Sequence, residues 1–328
     1  MRLALCLGLF AAAALLAPGV HAQGVCAKTA APEAQSVCQI PAFSGIERQI
    51  SAAYAYASKQ LTPAGQAALK KTQDQWEQAV IASCDGVRGD PARLSGCLEQ
   101  PYALRLDDLI GAVRTVRGFT FLRVSKYAFA SCFGAAECET EFGGGYLQAS
   151  HPLIDAPAND RTQAWNQLVM DKLPLLALQP NVDTTLGFRI AGVSPDLISV
   201  RFDLREDAHR AGKGGAFAYL LNVILTDGRQ VGPQDLFATG ASWQAYIANR
   251  ATPLLRGNPG AQATDVDLAA VGDIVADPAR WAITPAGLSV LFRPSDLGFP
   301  ADAPMQVVIP WADLKPYLRD PLPFTLPQ

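Results

Sequence analysis

Imidazoles, thiols and paired carboxylates are the side chains of this sequence with reactive potential. His21 falls in an N-terminal leader described below, which leaves His151 and His209. His151 precedes Pro152 at an expected strand end, where a turn or surface histidine is a simpler reading than a general base. His209 lies in the charged run Arg205-Glu206-Asp207-Ala208-His209-Arg210, and solvation accounts for it. No H-E-x-x-H, G-x-S-x-G, S-x-x-K or Walker loop occurs. Gly214-Gly215, after Lys213, has the freedom to cradle an anion, but a hairpin or bulge uses such glycines equally well. Asp265-Val266-Asp267 lacks the full ligand alternation of a calcium loop. Glycosidase carboxylates are matched in space, so spacing along the chain singles out no pair. The expectation is a binding protein without cofactor or metal, not an enzyme.

The cysteines carry a clearer signal. Met1-Arg2, the apolar run Leu3 to Ala17 and Val20-His21-Ala22 before Gln23 form the pattern of a secretory signal peptide. Its apolar part is short for a membrane span, and no later stretch is long enough to cross a bilayer. Cys6 leaves with the leader, and six cysteines remain: Cys26, Cys38, Cys84, Cys97, Cys132 and Cys138. An even number in an exported chain reads as disulfides, and proximity favours 26–38, 84–97 and 132–138. A zinc site would need C-x-x-C-type spacing, which none of these pairs has. The expected location is the periplasm or outside the cell.

The 328 residues are 49% hydrophobic and 17% charged, with a net charge of −3, so globular domains are expected and disorder is not. No Lys/Arg run offers a nucleic-acid face, which sets that class aside. Mild acidity suits a basic partner.

The elements that would position these residues follow from periodicity. Leu69, Trp76, Val80 and Cys84 share one helical face; Thr62-Pro63 starts that helix and Asp85-Gly86 stops it. A second helix is expected within 92–116, and the Cys84–Cys97 pair would clamp the hairpin. An earlier helix fits Ser44 to Ser58. Near Arg117-Gly118 the pattern turns strand-like, through Phe119, Phe121, Val124, Tyr127 and Phe129. Further strands are expected at Tyr146–Ser150, Thr185–Ile190, Leu197–Leu204, Phe217–Leu225, Trp281–Thr284, Leu288–Phe292 and Gln306–Ile309. Helices fit Ala158–Leu173, Ser242–Leu255 and Trp311–Leu318, with a loop over Gly257 to Ala270. The fold class is α+β: a signal peptide (1–22), a disulfide-linked helical domain (23–116), and a mainly antiparallel sheet with helices on one face (117–328).

Two resemblances follow from particular residues. Cys26, Cys38, Pro41, Tyr54, Leu69, Gln73, Trp76, Cys84, Cys97, Leu98, Tyr102, Arg105 and Leu109 make residues 24–115 resemble the N-terminal domain of LprI-type (DUF1311-like) lysozyme inhibitors. Glu47 stands where that family usually has Asp, and Val80 where it has Arg. Residues 118–328 look like the extracytoplasmic (DUF3298-like) domain of RsiV-type anti-sigma factors. The matching residues include Tyr146–Ser150 with Pro152, Gly214-Gly215-Ala216, Asp227-Gly228, Gln234–Phe237, Trp281-x-x-Thr284-x-x-Gly287-Leu288 and Val307-x-Ile309-Pro310. Phe217 occupies a position where the family often has His.

The resemblances imply lysozyme or cell-wall recognition. The expectation is therefore an exported envelope protein that binds and blocks a lysozyme, with Asp85 and Asp90 as possible contacts to a basic partner. The alternatives are an accessory module that holds peptidoglycan or another envelope protein and, further off, a cell-wall-modifying enzyme.

Overall fold

The computed structural model describes residues 41–87, 90–130, 145–179, 181–208, 214–257, 267–293, 296 and 304–328. Cys26, Cys38, Cys132, Cys138, His209 and Asp265 lie outside the described residues. Helix α1 (Pro41–Ser58) leads into α2 (Pro63–Ser83), a 3₁₀ turn (Asp85–Val87) and α3 (Pro91–Ile110). The start of α2 follows from its sequence. Thr62 is extended, its hydroxyl accepts the Gly65 amide, and Pro63 fills a first-turn position that needs no N–H donor. Cys84 caps the other end and is bonded to Cys97 on α3, with the two Cα atoms 5.9 Å apart.

The helical expectation for 92–116 overruns. Helix α3 ends at Ile110 with Gly111 as its cap, and Val113–Val116 is strand β1. Val113, Thr115 and Val116 are β-branched, and Arg117-Gly118, both at positive φ, turn the chain back onto β2 (Phe119–Phe129).

Strands β1, β2, β3 (Tyr146–Ala156), β4 (Val182–Val193), β5 (Leu197–Ala208), β6 (Gly215–Ile224) and β7 (Arg229–Gln230) form one sheet in chain order. Neighbours are antiparallel except β3 and β4, which are parallel and joined through helix α4 (Asp160–Lys172). That parallel pairing covers only Leu147–Ala149 against Thr184–Leu186. Past it, the edge of β3 is met by α4: Asn166 accepts the Ile154 amide at 2.7 Å and donates to the Ile154 carbonyl at 2.9 Å, as a strand would. Asp227-Gly228 forms the expected hairpin turn, with Gly228 at φ +64°.

Helices α5 (Pro233–Leu236), α6 (Trp243–Arg256) and α7 (Leu268–Ala276) precede a three-stranded sheet of β8 (Trp281–Thr284), β9 (Gly287–Phe292) and β10 (Met305–Pro310), closed by α8 (Trp311–Leu314). The loop expected over 257–270 stops short, because Asp267 caps α7 by accepting the Ala269 amide. Buried side chains join the small sheet to the large one. The Ile283 amide donates to Ser199 Oγ at 3.2 Å and Asn222 Oδ1 at 3.3 Å, and Asn222 Nδ2 donates to the Trp281 carbonyl at 2.6 Å.

The cores follow this layout. Ile50, Leu69, Trp76, Leu98 and Tyr102 of the N-terminal helices share a cluster with Leu122 and Tyr127 of β2. Trp165 and Val169 of α4 pack with Phe121, Ile154, Val200 and Leu221. Phe237, Trp243, Ile247, Val271 and Trp281 fill the C-terminal cluster, where Phe237 and Trp243 stack at 4.1 Å. The protein is thus α+β, with a large, mostly antiparallel sheet, helices packed alongside it, and a disulfide in the helical part.

Candidate functional site

The residues picked out by the helical motif come together, but inside the protein. Gln73 and Trp76 lie on α2, Tyr102 and Arg105 on α3, and Tyr54 on α1. The Trp76 indole donates to the Pro101 carbonyl at 3.3 Å and meets the Tyr102 ring edge-on at 5.0 Å. The Tyr102 hydroxyl donates to Glu47 at 2.7 Å. Gln73 donates to Glu77 at 3.0 Å and accepts from Arg105 Nε at 2.9 Å. Arg105 then reaches β2, with Nη1 at 3.4 Å from the Tyr127 hydroxyl.

Asp108 finishes this network. It accepts from Ser125 Oγ at 2.5 Å and from the Tyr127 hydroxyl, while Ser125 and Ser150 link β2 to β3 at 2.8 Å. Burial pushes the Tyr127 phenol up from its ordinary value, so it remains a donor at neutral pH. Arg105 is 2% exposed, and its Nη2 has no partner among the described residues. The network holds the helices onto the sheet. A second tie stands beside it: Asp155 of β3 accepts both the amide (2.7 Å) and the hydroxyl (2.5 Å) of Thr62, at the positive end of α2. A Cβ on Gly65 would lie 2.4 Å from that carboxylate, so glycine is what allows the approach.

Sequence reasoning selected the network's helical members and missed Asp108, Ser125, Tyr127 and Ser150. Asp108 lies near the end of α3, and the other three lie on β2 and β3, where a polar residue on an apolar stretch carries no periodic signal.

The other singled-out residues lie apart. Asp90 is the N-cap of α3, its carboxylate accepting the Ala92 and Arg93 amides at 3.0 and 3.2 Å on the exposed α2–α3 turn. Asp85 begins the 3₁₀ turn of that loop, and its side chain lies outside the described residues. Gly214 and Gly215 lie where the chain enters β6. A Cβ on Gly214 would stand 2.3 Å from the Glu206 carbonyl oxygen, so the glycine serves close backbone approach. Phe217 is half exposed on β6.

His151 is the main correction. It lies in the middle of β3, opposite Val124, and is 4% exposed, so the turn or surface reading fails. The strand runs on through Pro152 to Ala156 because Asn166 satisfies its free edge beyond the proline. Burial, with Lys126 adding to it, lowers the imidazole pKa to about 4, so the ring is neutral at pH 7. It borders a cleft of about 190 Å³ between β3 and α4. A shallower groove of about 610 Å³ runs between α6 and α7, lined mainly by Ala245, Ala248, Ala269 and Gly272, with Asp267 and Asp273 at its edge.

Among the described residues there is no group of three or more His, Cys, Asp or Glu placed to hold a metal ion, and no helix is long and apolar enough to cross a membrane. No family model matches the chain, and no curated protein matches it. Among solved structures, a DUF3298 family protein from Pseudomonas aeruginosa PAO1 is similar at a TM-score of 0.43 and 13% identity, over 63% of this chain and 96% of its own. A DUF3298 family member from Bacteroides fragilis is similar at a TM-score of 0.41 and 11% identity, over the same shares.

Proposed function

We propose that this chain is an exported binding protein of the bacterial envelope, located in the periplasm or outside the cell, whose partner is a lysozyme that it blocks by covering the cleft. Recognition is assigned to the helical part, 23–116, with 117–328 as its support. The observation behind this is the Cys84–Cys97 disulfide. Such a bond belongs to an oxidising compartment, and here it fixes the exposed turn carrying Asp85 and Asp90 between two helices. The motif side chains behind that turn are tied to one another in the interior, so the two helices that carry it are held together before any partner arrives. The Asp85 and Asp90 carboxylates of this turn, with Arg88 between them in sequence, suit contacts to the basic surface of a c-type lysozyme, with no cofactor required.

The test is calorimetry of the oxidised protein against a c-type lysozyme at low salt, with a muramidase assay alongside. Micromolar or tighter binding that inhibits the enzyme and weakens as salt is added supports this function. Absence of binding at low salt overturns it. Retention on purified peptidoglycan would then favour the accessory-module function, and release of sugar or acetate from that wall would favour an enzyme.

A further inference from the structure

We propose that the cleft between β3 and α4 is a binding site for one neutral pyranose unit of a carbohydrate. Its floor carries His151, a polar side chain buried to 4% exposure that has no hydrogen-bond partner among the described residues. Neither ring nitrogen is among the fully enclosed polar atoms without a partner, so the unbonded imidazole keeps a small accessible surface at the cleft, open to a ligand or to water. The cavity of about 190 Å³ has room for roughly six waters, the scale of one sugar ring.

The lining decides the chemistry. None of the residues bordering the cleft is charged, so it offers no counter-charge to an anion or a cation. Burial keeps the imidazole neutral at pH 7, so it presents one donor and one acceptor. Gln163 sits on the rim with an exposed amide, and Gln167 keeps its carbonyl oxygen available while its nitrogen bonds Asp171 at 2.7 Å. Pro152, Leu153 and Met170 supply apolar surface, and Met170 is 41% exposed for so large a hydrophobic side chain. Alternating donors and acceptors beside an apolar wall complement a pyranose, whose hydroxyls surround a C–H face.

An extended peptide is the competing neutral ligand, and the strand edge rejects it. Asn166 already occupies both the N–H and the C=O of Ile154, and Pro152 has no N–H, so no strand can be added there. The site is independent of lysozyme binding: the lysozyme test reads the α2–α3 turn, whereas sugar binding reads the β3–α4 cleft.

The experiment is NMR of the histidine side chains in the full oxidised protein, titrated in one arm with glucose oligomers and in the other with N-acetylglucosamine oligomers. The imidazole signal absent from His151→Phe identifies His151. A saturable shift of that signal is expected, and whichever arm produces it tells whether hydroxyls alone or an acetamido group is recognised. Gln163→Ala and Met170→Ala change exposed side chains and leave the fold intact, and each is expected to weaken binding about three- to tenfold. No saturable shift in either arm overturns the proposal, as does binding that both rim variants leave unchanged.

Discussion

Arg105 Nε on α3 donates to Gln73 Oε1 on α2 at 2.9 Å, deep between the helices and the sheet. The bond gives a buried guanidinium its neutral acceptor, and Gln73 in turn donates to Glu77. Gln73→Leu strands that charge, and a loss of about 1.5–3 kcal/mol in unfolding free energy is expected by urea denaturation of the oxidised protein. A Gln73→Leu/Arg105→Met protein is expected to lose less than the sum of the two single losses, because the pair shares one interaction. Additive losses would show that the two side chains act separately.

The Cys84–Cys97 bond joins residues 13 apart and closes the turn that carries Asp90. Reduction, or a Cys84→Ser/Cys97→Ser protein, frees that loop in the unfolded chain. A loss of about 2–4 kcal/mol is expected. An unchanged denaturation midpoint after complete reduction would remove the disulfide from the account of how the hairpin is held.

Asp90 separates a structural role from a contact role. Its carboxylate caps α3 through the Ala92 and Arg93 amides, so Asp90→Ala is expected to cost about 1 kcal/mol of stability. Asp90→Ser keeps the cap and removes the charge. If the turn meets a basic lysozyme surface, Asp90→Ser retains wild-type stability yet weakens the complex and flattens its salt dependence. Equal affinity for the two proteins would confine Asp90 to capping.

These residues also show how far a sequence can be read. Leu69, Trp76, Val80 and Cys84 announce a helix because one face repeats every three to four residues, and Thr62-Pro63 marks its start through local chemistry. Strand β2 is visible for the same reason, in its aromatic and β-branched run. What escapes is set by tertiary pairing. Val113–Val116 follows a long helical pattern, and only its pairing with β2 makes it a strand. His151-Pro152 reads as a strand end because proline cannot donate, yet the strand continues where a side chain from α4 supplies the missing edge. The cleft there is assembled from residues 10 to 20 positions apart on two kinds of element, and no linear spacing encodes it.

Burial lowers the His151 pKa to about 4, against about 6.5 in an unfolded chain. Between these values the unfolded state binds a proton that the folded state does not. Stability from this source is therefore complete above about pH 6.5 and falls as the pH drops towards 4, by on the order of 3 kcal/mol in total. Denaturation midpoints at pH 7 and pH 5 should differ in the wild type, and His151→Phe should remove much of that difference. A variant with the same pH dependence as the wild type would place the titrating group elsewhere.

Gly192 lies at the bulge in β4, and the chain there comes so close to β8 that a Cβ would be 2.1 Å from the Ile283 carbonyl oxygen. That oxygen belongs to backbone, and the Ile283 amide is already held by Ser199 and Asn222, so the neighbour cannot step aside cheaply. Gly192→Ala is expected to push the two sheets apart and cost about 1–3 kcal/mol. Gly45 provides the control. It lies within α1 with nothing inside 4 Å of its would-be Cβ, so Gly45→Ala should stabilise by up to about 1 kcal/mol through helix propensity. The same substitution thus carries opposite signs at the two sites, and calorimetric melting of both proteins reads it directly. Equal stability of Gly192→Ala and the wild type would mean that the sheets are not in the close contact that joins the small sheet to the large one.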